Sequence, residues 1–333
     1  MARAWHLRER PAEHLDPAIF SLDDLPDAPL EVGEVRVANR WLSVDPFMRG
    51  MLDDVGGYMP ALPLGSEMHG GAVGEVIESR ADDWPVKRKV FHNKGWRDVS
   101  VVSSLECEAI PDTSAPLERY LGHLGMPGQT AYFGLLDAAA ALPGDVLFVS
   151  AAAGAVGSAV VQIARIKGMT VIGSTSGADK CAALREWGAD ATIDRSAPGS
   201  MREKLAAALD EIDQPGITIY FDNVGGDHLD AAIEHALIGA RFALCGMVGG
   251  YGRGDQLVLN RPMRLVMKRL RLRGFAAPDY DHRWDEFHDD MLRWTLSGEL
   301  LSAETVLDGL EAVPTAFVGL FNGKNLGKML VSL

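Results

Sequence analysis

The stretch Val146-Leu147-Phe148-Val149-Ser150-Ala151-Ala152-Ala153-Gly154-Ala155-Val156-Gly157-Ser158 decides how the rest of this 333-residue chain is read. Pro143-Gly144-Asp145 is a turn signal, and the four apolar residues after it have the composition of a buried strand. Small residues follow, and then the amphipathic run 159–166 of a helix. Strand, small-residue turn and helix are the frame of the dinucleotide-binding loop G-x-G-x-x-G. Its second glycine lets a pyrophosphate approach backbone N–H groups, and its third lets helix and strand pack closely. Gly154 and Gly157 hold those two positions, Ala152 stands at the first, and Ala155 and Val156 lie between them as further cofactor contacts. A Gly/Ala-rich helix start chosen for packing alone is the competing reading, and the surrounding chain decides between them.

Downstream, strands and helices alternate: strand 145–150, helix 155–167, strand 170–174, helix 178–187, strand 191–194, helix 200–210, strand 217–222, helix 227–237 and strand 241–245. After a loop at 247–262 come a strand at 270–275 and a helix at 284–297. Such alternation predicts βαβ units, hence an α/β fold with a Rossmann-type, doubly wound parallel sheet. The first third reads differently. Short β-branched runs at 34–38, 71–78 and 99–102, separated by Pro and Gly clusters, predict a β-rich domain, and the pattern turns helical around 121–141. The tail 326–333 reads as a last strand. The division expected is a β-rich catalytic domain at 1–124 completed by 300–333, and a nucleotide-binding domain at 125–299.

Composition removes several classes of function. With 46 acidic and 32 basic side chains the chain carries a net charge of −14, which argues against nucleic-acid and anionic-membrane surfaces as partners. Cys107, Cys181 and Cys245 are odd in number and widely spaced, which suits neither a disulfide framework nor a cysteine-rich zinc lobe and fits a reducing compartment. Residues 1–13 lack the apolar core of a signal peptide. The longest apolar stretch, 151–164, is interrupted by Gly154, Gly157, Ser158 and Gln162 and falls short of the ~18 residues of a spanning helix. A cytoplasmic protein without a membrane anchor is expected.

The choice of nicotinamide cofactor is written at the end of the second predicted strand. An NAD enzyme places an Asp or Glu there for the ribose 2′-hydroxyl. This chain has Ser174-Thr175-Ser176-Gly177-Ala178-Asp179-Lys180, where the hydroxyl of Thr175 and the ammonium of Lys180 suit a 2′-phosphate, and Arg195 after the next strand is a second candidate cation. NADP is the expected cofactor. Lys180 and Arg195 also admit the plainer reading of surface charge.

Several longer strings resemble one family. They are Val44-Asp45-Pro46-Phe47-Met48-Arg49, Gly125-Met126-Pro127-Gly128-Gln129-Thr130-Ala131-Tyr132-Phe133-Gly134, Tyr220-Phe221-Asp222-Asn223-Val224-Gly225-Gly226, Cys245-Gly246 with Tyr251, and Asn325-Leu326-Gly327-Lys328. Together with the phosphate loop they resemble the zinc-independent medium-chain dehydrogenase/reductases, and among them the prostaglandin reductase and leukotriene hydroxydehydrogenase family of NADP-dependent 2-alkenal and enone reductases. The resemblance implies a GroES-like catalytic domain beside the Rossmann domain. It also implies a cofactor groove lined by Asn223, Cys245, Gly246, Tyr251, Phe275 and Asn325 in addition to the phosphate-loop and 2′-phosphate residues, and a homodimer. Asn223 and Cys245 also stand at the carboxyl ends of expected parallel strands, where open sheets bind ligands. Two positions depart from the family: Phe47 replaces its usual Tyr, and Arg195 stands where a Tyr often lies near the adenosine phosphate.

Zinc-dependent relatives carry a ligand histidine in a Gly-His-Glu string, whereas this chain has Gly65-Ser66-Glu67 and no cysteine before Cys107, so no catalytic metal is expected. Hydride delivery to the β-carbon of a C=C bond conjugated to a carbonyl needs only a donor for the enolate oxygen. A phenol, with a usual pKa near ~10, keeps its proton for that role at neutral pH. Tyr251 is the family's position for it, with gating of the pocket as the alternative role. The substrates implied are small enones, alkenals or quinones, with a non-catalytic NADPH-binding protein as the reading from another class.

Overall fold

The computed structural model describes residues 2–12, 14–53, 60–250 and 259–333. The chain divides into two compact units, residues 1–121 with 304–333, and residues 122–303.

The second unit is built on a six-stranded sheet. Its strands lie in the order Ala191–Asp194, Thr170–Thr175, Val146–Val149, Ile217–Asp222, Ala236–Leu244, Arg271–Gly274, and every neighbouring pair is parallel. In sequence rank this is 3-2-1-4-5-6, the doubly wound dinucleotide-binding order, whose direction reverses between the first and fourth strands. Helices Ala155–Ile166, Ala178–Glu186, Met201–Glu211 and Gly226–His235 make the crossovers. The α/β fold expected from alternating elements is therefore the one formed. The strand Val146–Val149 is buried at all four positions, as a central parallel strand covered on both faces must be. Phe148 stacks on Tyr220 of the neighbouring strand with ring centroids 5.2 Å apart, within a core that includes Ile172, Leu205, Leu229 and Phe242.

Several expected boundaries need correction here. The helix expected to run to 237 stops at His235, and the strand expected to begin at 241 begins at Ala236. The apolar run Ala236-Leu237-Ile238 reads as helix continuation. In the fold Ala236 pairs with Ile217 instead, and the register then slips so that Ile219 meets Arg241, with Gly239 at a φ of +83° in the intervening bulge. The strand expected over 270–275 closes at Gly274, which leaves Phe275 in the loop. The loop expected at 247–262 includes a short 3₁₀ turn, Val248–Gly250. The Gly125–Gly134 string forms the helix Met126–Phe133. There a Cβ on Gly128 would lie 1.8 Å from the carbonyl oxygen of His123, so the close backbone approach admits only glycine.

The first unit is β-rich. Its larger sheet runs Glu304–Asp308, Lys328–Ser332, Glu34–Ser43, Ala72–Ser79, Lys89–His92, Glu108–Ala109, with Val99–Ser103 also paired to Glu34–Ser43. All these pairs are antiparallel except Glu304–Asp308 with Lys328–Ser332, which the helix Val313–Phe321 connects. A two-stranded sheet, Arg3–Leu7 with Phe20–Asp24, completes it. The C-terminal strand thus belongs to the N-terminal sheet, with Leu330 opposite Ser43. The core of this unit gathers Trp96, Phe20, Phe317, Met48 and Leu42, and Phe47 is half-buried against it.

Candidate functional site

The sharp turn after the first strand of the parallel sheet carries the phosphate loop. Ala152 donates its N–H to the Ser174 carbonyl at 2.8 Å, and Gly154 donates to the Ala151 carbonyl at 3.0 Å, which folds the loop back on itself. Ala151 takes the left-handed conformation with φ +48°, so the turn carries its strain one residue before the position at which the motif places its first glycine. A Cβ on Gly157 would meet the Ala151 carbonyl oxygen at 2.4 Å and the Ala152 Cα at 2.7 Å, which is the close helix–turn packing assigned to the third glycine. A Cβ on Gly154 would meet only the Ala151 oxygen, at 3.3 Å, and otherwise point into open space. Gly154 is the N-cap of the 12-residue helix Ala155–Ile166 and gives it no side-chain cap. The first-turn N–H groups of Ala155, Val156 and Gly157 therefore face that space with the positive end of the helix dipole behind them. A pyrophosphate fits this cradle.

The switch point of the sheet is knotted by one carboxyl group. Asp222 Oδ1 accepts from Tyr220 Oη at 2.7 Å, Ser150 Oγ at 3.2 Å, Val224 N at 2.9 Å and Gly225 N at 2.8 Å. The Asp222 carbonyl accepts from Cys245 N at 2.9 Å and Gly246 N at 3.0 Å. Asn223 completes the junction by donating Nδ2 to the Ser150 carbonyl at 2.8 Å and its backbone N–H to Ser150 Oγ at 2.8 Å. Three loops at the carboxyl ends of three adjacent strands are thereby held together. Sequence reasoning named Asn223, Cys245 and Gly246 but missed Ser150 and the side chain of Asp222. The available signal was a hydroxyl immediately after one parallel strand and an acid ending the next. Burial raises the Asp222 pKa above the usual carboxylate value despite its hydrogen bonds, and its Oδ2 is buried without a partner. Burial, with Asp222 nearby, pushes the Cys245 thiol up to about 12, so this cysteine is not a nucleophile at neutral pH.

The expected 2′-phosphate residues are gathered at the end of the second strand. Thr175 is buried, its carbonyl accepting from Arg195 N at 2.7 Å. Gly177 caps the helix Ala178–Glu186 at φ +88°, placing Lys180 in the first turn. Partial burial, and then the charge of Arg195, lower the Lys180 pKa from the usual lysine value. The Arg195 charge therefore acts on the Lys180 ammonium, which brings these two expected cations into one neighbourhood. Phe275 stacks edge-on to Phe221 with centroids 6.1 Å apart, and its ring lies 2.3 Å from the point where a Cβ on Gly134 would sit. Asn325 belongs to the other unit, where its Nδ2 donates to the Gly327 carbonyl at 2.8 Å. Tyr251 lies outside the described residues.

Where zinc-dependent relatives have Gly-His-Glu, Glu67 forms an ion pair with the buried Arg97. Among the described residues no group of three or more His, Cys, Asp or Glu side chains is arranged to hold a metal, and no helix is long and apolar enough to cross a membrane.

These two units match two families: residues 3–110 the one described as the N-terminal domain of oxidoreductase, and residues 155–296 the one described as zinc-binding dehydrogenase. The chain belongs to the medium-chain dehydrogenase/reductases. Within them it falls among the prostaglandin and alkenal reductases. It is 37% identical to the NADPH-dependent curcumin reductase of Escherichia coli (strain K12), over 99% of this chain and 96% of that one. It is 36% identical to prostaglandin reductase 1 of Bos taurus, over 99% and 98%, and 36% identical to the NADP(+)-dependent 2-alkenal reductase of Nicotiana tabacum, over 90% and 87%. The crystal structure of CurA in complex with NADPH from Vibrio vulnificus superposes with a TM-score of 0.92 at 36% identity, covering 99% of this chain and 98% of that one.

Proposed function

We propose that this protein is an NADPH-dependent reductase of the C=C bond in α,β-unsaturated ketones and aldehydes, working without a metal. The observation that carries the reading is the pairing of an uncapped, glycine-lined helix N-terminus with two adjacent cations, Lys180 and Arg195, at the end of the next strand. The relatives named for NADPH-dependent curcumin reduction and NADP-dependent 2-alkenal reduction support the cofactor and the bond acted on. Bound NADPH supplies a hydride for the β-carbon of the conjugated acceptor.

The chain's own residues do the rest. Backbone N–H groups from Ala155 to Gly157 hold the pyrophosphate, and Lys180, Arg195 and the Thr175 hydroxyl hold the 2′-phosphate. The junction of Ser150, Asp222 and Asn223 fixes the loops that carry Asn223, Cys245 and Gly246 toward the cofactor. Phe275 completes the groove on this unit. Tyr251 donates its phenolic proton in a hydrogen bond to the developing enolate oxygen, and the α-carbon proton comes from solvent. Phe47 brings no hydroxyl to the substrate side, which favours acceptors with apolar groups. Ser66 and the Arg97-bound Glu67 offer no zinc site in place of the usual ligands, so a zinc chelator leaves turnover unchanged.

The working form in this reading is a cytoplasmic homodimer. Arg271–Gly274, an edge strand among the described residues, and the exposed Met263, Val266 and Met267 on the preceding helix support self-association, which analytical ultracentrifugation checks. The functional test is NADPH oxidation with a panel of enones, alkenals and quinones, followed by product analysis. Saturated ketones and aldehydes are expected. Turnover of quinones alone would make the protein a quinone oxidoreductase, and NADPH binding without turnover of any acceptor would make it a binding protein. Tyr251→Phe is expected to lower kcat by ~10²-fold or less, because one enolate donor is removed.

A further inference from the structure

The two segments that present Lys180 and Arg195 are tied to one another by a residue that neither motif nor composition singled out. Asp194 ends the strand Ala191–Asp194, directly opposite Thr175. Its Oδ1 accepts the backbone N–H of Gly177 at 2.9 Å, the backbone N–H of Ser196 at 2.9 Å and the Ser196 hydroxyl at 2.5 Å. Gly177 is the N-cap of the helix that carries Lys180, and Ser196 follows Arg195 directly. One carboxylate oxygen therefore spans the gap between the two cation-bearing segments. A second tie backs it: Lys204, from the helix Met201–Glu211, donates Nζ to the Arg195 carbonyl at 3.0 Å and to the Ala197 carbonyl.

The chemistry of this arrangement is specific. A carboxylate near a phosphate pocket ordinarily weakens it, by repelling the ligand and neutralising a cation. Here the carboxylate's charge is taken up by N–H and O–H donors, and those same hydrogen bonds hold its pKa below the usual carboxylate value. Asp194 thus stays an acceptor through the physiological range while organising the loops around it. A lysine and an arginine on independent loops would drift apart under their mutual repulsion, and the entropy of gathering them would be charged against phosphate binding.

We propose that Asp194 is a positioning residue for cofactor selection, holding the Lys180 and Arg195 segments at the separation that grips a 2′-phosphate and so setting the preference for NADPH over NADH. This rests on the reading that Lys180 and Arg195 bind the 2′-phosphate, and the test separates the two claims. Steady-state kinetics with NADPH and with NADH are compared for wild type, Lys180→Ala, Asp194→Ala and Asp194→Asn at a saturating acceptor. Asp194→Ala is expected to raise the NADPH KM about tenfold or more, with less than about a threefold change in the NADH KM and in kcat. Asp194→Asn keeps an oxygen acceptor for the Gly177 and Ser196 N–H groups and is expected to restore most of the preference. It also serves as the folded control if the alanine variant does not accumulate. If Lys180→Ala leaves the NADPH preference intact, the phosphate placement itself is wrong. If Lys180→Ala abolishes the preference while Asp194→Ala leaves it intact, or raises both KM values equally, the role given to Asp194 is wrong. The role is equally wrong if Asp194→Asn by itself removes the preference.

Discussion

Lys328 donates its ammonium group to Asp45 Oδ1 at 2.8 Å and to the Val44 carbonyl at 2.9 Å, joining two sequence strings from opposite ends of the chain. The side chains are only 4% and 9% exposed, and Ser43 Oγ donates to the other carboxylate oxygen. The pair sits beside the antiparallel contact of Lys328–Ser332 with Glu34–Ser43, so the charge match fixes the register with which the C-terminal strand closes the first unit. A buried pair of this kind is costly to halve, because the survivor is left as an unpaired charge. Lys328→Met is expected to lose about 3–5 kcal/mol of unfolding free energy in denaturant titrations. Adding Asp45→Asn should return a large part of that loss. A single variant costing less than about 1 kcal/mol would show that the pair does not hold the strand.

The two loop glycines are expected to fail in different ways when replaced by alanine. At Gly157 the new methyl meets backbone atoms of Ala151 and Ala152 at 2.4 and 2.7 Å, and backbone cannot swing aside. Helix and strand must part, at about 1–3 kcal/mol in stability, as for other overpacked sites. At Gly154 the nearest atom is 3.3 Å away and the remaining space is open. Gly154→Ala should therefore unfold at nearly the wild-type midpoint while its NADPH KM rises severalfold. Thermal melts and NADPH titrations on the two variants read this split directly, and equal stability losses would refute it.

With Lys180 at the 2′-phosphate, as proposed, cofactor binding has an alkaline limit. Its pKa is lowered first by burial and then by Arg195, and the ammonium is the form that holds a phosphate. The free enzyme therefore loses that proton at a lower pH than an ordinary lysine would. The kcat/KM for NADPH should fall on the alkaline side before that for NADH, which has no 2′-phosphate to lose. Lys180→Arg removes the titration, since a guanidinium keeps its charge across this range. Parallel alkaline profiles for the two cofactors in the wild type would contradict the assignment.

What could be read from the sequence depended on how local each signal was. The strand Val146–Val149, its turn and the helix after it carry their pattern within about twenty residues, and the strands Ala191–Asp194 and Ile217–Asp222 announce themselves by β-branched and aromatic runs between turns. The strand Glu304–Asp308 is partly exposed and polar at its ends, and Glu108–Ala109 is two exposed residues; both exist through pairing with distant strands and leave no periodic trace. The helix Val313–Phe321 is apolar nearly all round, so its stretch lacks the polar face that makes a surface helix readable. At the site, the glycines and Asn223 were visible because their backbone roles restrict residue type. Ser150, Asp194 and Lys204 act through hydrogen bonds to backbone groups brought near only by the sheet order, and a serine, an acid or a lysine in a loop has many commoner explanations.

Acid should destabilise the protein through two buried histidines, beginning well above the range in which carboxylates titrate. His92 Nδ1 accepts the Lys94 N–H at 3.1 Å, so Nε2 carries the ring proton and donates it to Asn39 Oδ1 at 3.0 Å; the ring is held neutral by its partners. Burial, with Arg97 and Lys94 adding their charge, pushes its pKa down to about 3. His228, hydrogen-bonded to Ser174 Oγ at 3.0 Å, is likewise lowered by burial, to about 4. In the unfolded chain both rings titrate near ~6.5. The sign follows from proton counting: as pH falls below that value the unfolded state gains protons that the folded state refuses, so stability is full above it and is lost on the way down to the folded pKa values. Each histidine adds a slope of at most about 1.4 kcal/mol per pH unit in this window. Unfolding free energies measured by denaturant titration from neutral to mildly acidic pH should show that slope. His92→Gln and His228→Gln, whatever each costs at neutral pH, should each flatten it, and a slope unchanged in both variants would mean that acid acts on the protein elsewhere.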